Sequence, residues 1–255
     1  MPLADKQCFR ADLHIHTCLS PCGDWEMTPQ RIIKRARELN LDILAICDHN
    51  SSKNARPIVE LGKTAGILVL PGLEICTREE VHLLGIHKRV HQAEAVADEV
   101  YQGLVQENTP DIFGFQVIAD EQEMVVGQEP KLLIQACHLT VKEAVDLIHR
   151  EQGLAIAAHI DRPSYSILGQ LGFIPPDLGL DGIEITARTM SQGKEHYFLD
   201  KTSPPCLVSS DAHRLVEMAQ GSTLFTMTCK TFEAMASALK KGNTEFQTRG
   251  FRAIS

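Results

Sequence analysis

Imidazoles and carboxylates recur in this chain at the ends of short apolar runs. His14 and His16 close the run in Ala11-Asp-Leu-His-Ile-His-Thr17, and Asp48 and His49 close the next. Glu74 ends Pro71-Gly-Leu-Glu74, and His82 opens the run that follows. His159 ends the run that starts at Leu154, and Asp211 and His213 end the one that starts at Cys206. Side-chain direction on a strand has a period of two, so His14 and His16 share a side and can bind one ion. Imidazole and carboxylate donors together suit zinc, manganese or iron. The set exceeds the three or four protein ligands of one zinc site, which points to two or three divalent ions, with a carboxylate such as Glu74 able to bridge two. A lone histidine at a strand end is more often a hydrogen-bonded group than a ligand, and His87, His91, His138, His149 and His196 read that way. Three histidine-bearing pairs all falling at strand ends do not.

These groups must be gathered by the fold. Runs at 11–16, 43–48, 67–73, 82–87, 154–159, 181–186, 206–211 and 221–226 are nearly continuous in apolar residues, as strands covered on both faces are. Helical patterns lie between them. Thr28-Pro29 opens one, with Ile32, Ile33, Ala36 and Leu39 on its apolar face. Thr140 and Glu143 form a capping box before Val141, Ala144, Val145 and Ile148. Phe232, Met235, Ala236 and Leu239 repeat the spacing, with Gly242 as a stop. Strand–helix alternation makes this an α/β chain with a parallel sheet or barrel. In a barrel the carboxyl ends of the strands meet at one face, where sites are built. The stretch 92–138 breaks the rhythm with a polar helix at about 92–107 and a hairpin at 113–119 and 124–126. It reads as an insertion in a single domain spanning 1–255.

The pieces Asp12-Leu-His-Ile-His-Thr17, Cys47-Asp-His-Asn50, Gly72-Leu-Glu74 followed by His82, Ala158-His159 and Ser210-Asp-Ala-His213 resemble the PHP family, the polymerase and histidinol phosphatase metal-dependent hydrolases. They occur in that family's order over about residues 11–213. The resemblance implies a distorted (β/α)7 TIM-like barrel, a site for two or three ions (Zn2+, Mn2+ or Fe2+) and phosphoesterase chemistry. By that resemblance His14, His16, Glu74 and Asp211 hold one ion, and Glu74, His82 and His159 a second. His49 and His213 hold the third. Asp48 is a further candidate ligand. Many relatives complete the third site with an aspartate or histidine shortly after the His-x-His pair. Here Ser20-Pro-Cys-Gly-Asp24 stands in that place, leaving Cys22 or Asp24 for the role. A thiolate there favours a softer ion such as zinc; the alternative is that Cys22 is only a loop residue. The same stretch looks like that of stand-alone bacterial members.

Ions held there would lower the pKa of a water shared between them and so would supply the hydroxide needed for in-line attack on phosphorus. No protein nucleophile is required, which fits the lack of a Gly-x-Ser-x-Gly elbow or a phosphate-cradling glycine loop. Arg162, three residues after His159, is the expected phosphate-binding cation, because a guanidinium binds phosphate bidentately. Arg214 follows His213 directly and is either a phosphate contact or a solvated loop cation. Lys53 and Arg188 read as solvated loop cations. His196 is a candidate proton carrier to the leaving alcohol.

Composition limits the partners. The 255 residues include 25 Lys plus Arg and 33 Asp plus Glu, a formal charge of −8, which argues against coating duplex DNA by bulk charge. An apolar fraction of 44% excludes intrinsic disorder. No apolar run approaches the roughly 18 residues of a membrane span, and the start lacks a secretory pattern. Eight cysteines without a Cys-x-x-Cys pair read as reduced thiols of a cytoplasmic protein. The expectation is a metal-dependent phosphoesterase acting on a small phosphorylated metabolite or nucleotide, with no membrane partner and the oligomeric state open. Histidinol-phosphate phosphatase, an amidohydrolase and a non-catalytic metal-binding regulatory module are the alternatives. A nuclease or proofreading module is weakened by the absence of basic runs and an aromatic content of 5%, so nucleic acid is not the expected partner.

Overall fold

A computed structural model describes residues 6–199 and 204–249. The first half runs β1 (Gln7–Ile15), α1 (Pro29–Glu38), β2 (Ile43–Ile46), α2 (Ala55–Ala65), β3 (Leu68–Cys76), β4 (His82–Ile86), α3 (Val90–Gln102), α4 (Pro110–Phe113), β5 (Val117–Ala119) and β6 (Val125–Gln128). Then follow α5 (Val141–Arg150), β7 (Leu154–Ala157), α6 (Ile167–Leu171), β8 (Gly182–Thr186), α7 (Ala187–Ser191), α8 (His196–Leu199), β9 (Cys206–Ser209), β10 (Gly221–Met227), α9 (Phe232–Lys240) and β11 (Thr244–Thr248). One sheet has the order β11-β10-β1-β2-β3-β4-β7-β8-β9. It curls until the chain past β9 meets the end of β1, where Ile15 bridges Ala212. There the His16 amide donates to the Ala212 carbonyl at 2.9 Å. The staves β1, β2, β3, β4, β7, β8 and β9 thus form a nearly closed α/β barrel, with β10 and β11 as an antiparallel extension beside β1.

The barrel is not all parallel. β4 runs antiparallel to both β3 and β7. The tight connection from β3 permits only a hairpin, since a parallel return needs a crossover of a dozen or more residues. As a result the first residue of β4, His82, sits at the rim that carries the last residues of β3 and β7. β11 was not foreseen: Thr-Glu-Phe-Gln-Thr is a polar edge strand, mostly exposed, without an apolar run to announce it.

Three apolar layers hold the staves. Ala11, Leu13, Ile43, Ala45, Leu70, Leu84, Ile156 and Leu207 fill the interior. Ile15, Leu44, Ile46 and Val69 pack outward with residues of α1 and α2, and Leu73, Ile75, Leu83 and Ala157 with those of α3 and α5. Leu13 therefore faces in while Ile15 faces out. The β1–β2 register shifts between Asp12 and Ile15, and this irregularity turns His14 and His16 to the inside above Leu13. The Thr140 capping box forms as expected, with the Thr140 amide donating to Glu143 Oε2 at 2.8 Å. Thr28 differs: its hydroxyl donates to Glu123 and does not cap α1. In the insertion the helix is shorter than expected, ending at Gln102, and the hairpin β5–β6 is tied to the rim by the Val117 amide on the Cys18 carbonyl at 2.9 Å.

At the opposite end of β4, His87 is fully buried and neither ring nitrogen has a hydrogen-bond partner. Burial pulls its pKa down to about 4. The folded value lies below the unfolded one, so the contribution to stability is whole above about pH 6.5 and is lost as pH falls toward 4, a loss of about 3 kcal/mol. We expect His87→Leu to remove this part of the acid sensitivity, so that its urea stability falls less than wild type's between pH 7 and 4.5. Parallel losses in the two proteins would contradict it.

Candidate metal centre

Strand alternation determines what reaches the barrel mouth. Leu70 faces in, so Glu74 does too; Leu84 faces in, and so does His82; Ile43 and Ala45 face in, and so does His49. By the same rule His159 would face out, since Ile156 and Ala158 point inward. It is brought back by a left-handed backbone, φ +29°. Asp211 (φ +51°), Asn50 (φ +49°) and Tyr165 (φ +57°) share that uncommon conformation at the same rim, where it re-aims side chains at a cost in strain.

The Glu74 carboxylate lies at the centre of five imidazoles. Its Oε1 is 2.9 Å from His82 Nδ1, 3.1 Å from His159 Nε2 and 3.4 Å from His14 Nε2. Its Oε2 is 2.9 Å from His49 Nδ1 and 3.5 Å from His16 Nε2. Asp211 Oδ1 approaches His14 and His16 Nε2 at 3.3 and 3.2 Å, while Oδ2 takes Arg162 Nη2 at 2.5 Å. The His213 ring stacks on His16 at 4.1 Å. Three sets of donor atoms lie within 4.8 Å of one another: His14, His16 and Asp211; His49, Glu74 and His82; His16, His49 and His213.

The protons show what this arrangement suits. His14 Nδ1 donates to Glu184 Oε2 at 3.0 Å, because an ionised carboxylate only accepts. The Ser20 hydroxyl spends its proton on Asp48 Oδ1 at 2.7 Å, so it accepts from His16 Nδ1 at 2.9 Å. In the neutral rings both Nε2 atoms are therefore bare lone pairs, yet they face each other at 3.1 Å. Asp211 Oδ1 beside them receives no hydrogen bond. Buried acceptors crowded without a proton between them call for a cation. Without one, protons must substitute. Burial opposes ionisation at each group, but Glu184, Asp211 and Glu74 carry His14 well above the ordinary imidazole value, and the histidines hold Glu74 and Asp211 well below the carboxylate range. Burial and the neighbouring His213 and His49 push His16 well down.

The expected residues do not all join this cluster. Asp48 faces the other way from His49, as adjacent strand residues must, and its oxygens accept from the Thr17 amide (2.7 Å), the Thr17 hydroxyl (2.8 Å) and Ser20; it orients the His16 loop. Asp24 turns back to accept from the Glu26 amide at 2.8 Å, and only its own amide touches the site, donating to the His213 carbonyl. His196 sits exposed on α8, bonded to the Gly193 carbonyl and tilted against the Tyr197 ring, and is not among the residues lining the cavity over the cluster. Cys22 does reach the edge. It lines the cavity with His213, and the nearby His213 and His49 rings bring its thiol down to about 6 against the desolvation that would raise it. Arg162 and, contrary to expectation, Arg188 both line the cavity of about 700 Å³ over the cluster. Lys53 is paired with Glu129 and Arg214 with Glu217. A second cavity, of about 830 Å³, lies at the far end of the barrel between Leu154, Pro175 and Leu239 and contains no imidazole.

Sequence reasoning missed three residues. Glu184 is buried behind His14 and also accepts the His159 amide at 3.1 Å; its inward position on the strand run 181–186 was the available signal. Asp12 ties β1 to the Asp211 loop by accepting from the Ser210 amide (3.0 Å) and the Ala219 amide (2.8 Å). Tyr165 stacks on the His82 ring at 4.8 Å, and no sequence signal marks it. A carboxylate behind a ligating imidazole typically governs metal affinity tenfold to a hundredfold. Glu184→Gln is accordingly expected to weaken divalent-ion binding by about 10- to 100-fold with the fold intact, read by titrating metal into the stripped protein. Unchanged affinity would remove Glu184 from this role.

Residues 12–169 match the PHP domain family, and residues 191–244 match the family described as PHP-associated. An uncharacterized protein of Methanocaldococcus jannaschii is 27% identical over 185 residues, covering 69% of this chain and 81% of its own. The 5'-3' exoribonuclease Rnm of Escherichia coli is 23% identical over 201 residues, covering 61% of this chain and 67% of its own. The lesion-specific endonuclease EndoQ from Pyrococcus furiosus shares the fold, with a TM-score of 0.66 at 20% identity over 94% of this chain. The chain spans 58% of that endonuclease's length.

Proposed function

The chain belongs to the PHP domain family and is a hydrolase of phosphoester bonds, and from that premise we propose that its barrel mouth cleaves a nucleotide phosphoester with two or three divalent ions held by the imidazole–carboxylate cluster. The observation that carries this reading is the pair of Nε2 atoms of His14 and His16, facing each other at 3.1 Å beside Asp211 and Glu74. His14, His16, Asp211 and Glu74 are the donors for one ion. Glu74 with His82 and His159 serve a second, and His49 and His213, with Cys22 at their edge, a third. Divalent cations there supply Lewis acidity, neutralising phosphoryl charge and lowering the pKa of water.

The chain's own groups do the rest. Glu184, Ser20 and Asp48 fix the proton on the rear nitrogen of His14 and His16, so the front nitrogens stay free to bind. Arg162, held against Asp211 Oδ2, presents its guanidinium to the cavity for the phosphoryl oxygens. Two relatives bear nuclease names, which counts against setting nucleic acid aside on composition. An average over the chain cannot see where its few aromatic rings gather. Free thiols throughout support a reducing, cytoplasmic setting, and no helix among the described residues is long and apolar enough to cross a membrane.

The test is turnover of p-nitrophenyl phosphate and its bis ester by stripped protein before and after adding manganese or zinc. Metal-restored hydrolysis supports the reading, and no hydrolysis of either ester with any of zinc, manganese or iron sinks it. Arg162→Ala is expected to raise KM about tenfold, by loss of a charge-assisted bond, with a smaller change in kcat. Unchanged saturation would remove Arg162 from phosphate binding.

A further inference from the structure

We propose that Trp25 and Phe115 form a platform at the barrel mouth on which an unpaired nucleobase of the substrate stacks; this rests on the reading of the site as a nucleotide phosphoesterase. The two rings meet at 5.2 Å between centroids. Both are open to solvent, Trp25 at 62% and Phe115 at 41%. An exposed Trp–Phe cluster on a charged chain marks a binding surface more than a scattered apolar residue does.

Its position connects it to the chemistry. Trp25 follows Asp24, whose amide donates to the His213 carbonyl at 2.8 Å, so the ring begins one residue, about 3.8 Å of chain, beyond backbone bonded to a cluster histidine. Phe115 comes two residues before Val117, whose amide donates to Cys18, itself two residues past His16. Between them Gly114, at φ +98°, lies against the Pro21 carbonyl, where a Cβ would stand 2.4 Å from the oxygen. Only glycine allows the insertion to approach the Pro21 loop so closely, and that approach sets Phe115 beside Trp25. The cavity over the cluster thus offers Arg162 and Arg188 to the phosphoryl group, and the loop whose backbone bonds its His213 carries Trp25 of the Trp25–Phe115 pair. A phosphate joined to a planar base has that same division. Aromatic stacking tolerates any base.

Trp25 is the only tryptophan in the chain, so fluorescence excited selectively at the red edge of the indole band, where the three tyrosines do not absorb, reports on the platform alone. The full chain as purified is titrated with adenosine 5′-phosphorothioate, a phosphorothioate-linked oligoadenylate and ribose 5-phosphate. Saturable quenching by the two adenine ligands, and none by ribose 5-phosphate, is expected. Tighter binding of the oligonucleotide identifies a strand as the source of the base, and equal binding a free nucleotide; both support the platform. Trp25→Ala is expected to raise KM for adenine nucleotides about 5- to 100-fold while p-nitrophenyl phosphate turnover stays at the wild-type level. Absence of quenching, quenching by ribose 5-phosphate alike, or an unchanged nucleotide KM in the variant overturns the platform. Loss of p-nitrophenyl ester turnover in wild type would instead strike at the phosphoesterase reading, so the two failures are separate.

Discussion

Glu74→Gln is expected to lower kcat/KM for phosphoester hydrolysis by about 10³-fold or more, since a Lewis-acid site contributes several kcal/mol at about 1.4 kcal/mol per tenfold. No other side chain in the cluster touches as many donors: both oxygens face imidazoles, three on Oε1 and two on Oε2. An amide has the same shape but only one acceptor and no charge, and its NH2 would confront a nitrogen lone pair. The variant therefore loses the group shared between ion positions while the barrel around it is unchanged. Metal content falls with activity, and circular dichroism remains that of wild type. A folded Glu74→Gln protein with near wild-type turnover would rule out a bridging role.

Removing the ions is expected to have the second largest effect. Chelation should abolish turnover and lower Tm by about 5–10 °C per tightly bound ion, and manganese or zinc should restore both. The size follows from mass action: a ligand at 100 times its Kd stabilises the fold by about 2.7 kcal/mol, and a chain of this length shifts about 2–4 °C per kcal/mol. The sign follows from the cluster. Glu74, Asp211, Glu184, Asp48 and Asp12 are buried carboxylates at or just behind the mouth with imidazoles between them, so cations take over from protons in neutralising a crowded acidic site. Turnover that persists in protein shown by elemental analysis to be metal-free would defeat this expectation.

Much of this site could be read without coordinates because strand ends advertise it. Period-two alternation is enough to place His14 with His16, and an apolar run ending in Glu74 or His159 is enough to bring each to the barrel rim. What alternation could not show lies where the backbone departs from it. The irregularity between Asp12 and Ile15 turns His14 inward, and the positive φ of His159 and Asp211 re-aims them. β4 runs backwards, so His82 reaches the rim from a strand's start. Applied strictly, alternation also excludes Asp48 from the His49 face, a conclusion hidden by treating the pair as one motif. Glu184, Asp12 and Tyr165 act through contacts with residues distant in the chain; alternation along 181–186 marks Glu184 as inward, and no local pattern marks Tyr165. Asp24 and His196 looked suitable by type and proximity, but a turn bond to Glu26 and an exposed short helix take them elsewhere.

The central claim is that residues scattered from His14 to His213 jointly coordinate divalent ions at one rim. Anomalous diffraction from crystals of manganese- or zinc-loaded protein tests it most directly. The account predicts peaks about 2.0–2.2 Å from the Nε2 atoms of His14 and His16, with Asp211 and Glu74 in the same shell and Glu74 reaching a second peak. Loaded, active crystals in which those nitrogens stay bare and the metal lies elsewhere would contradict it.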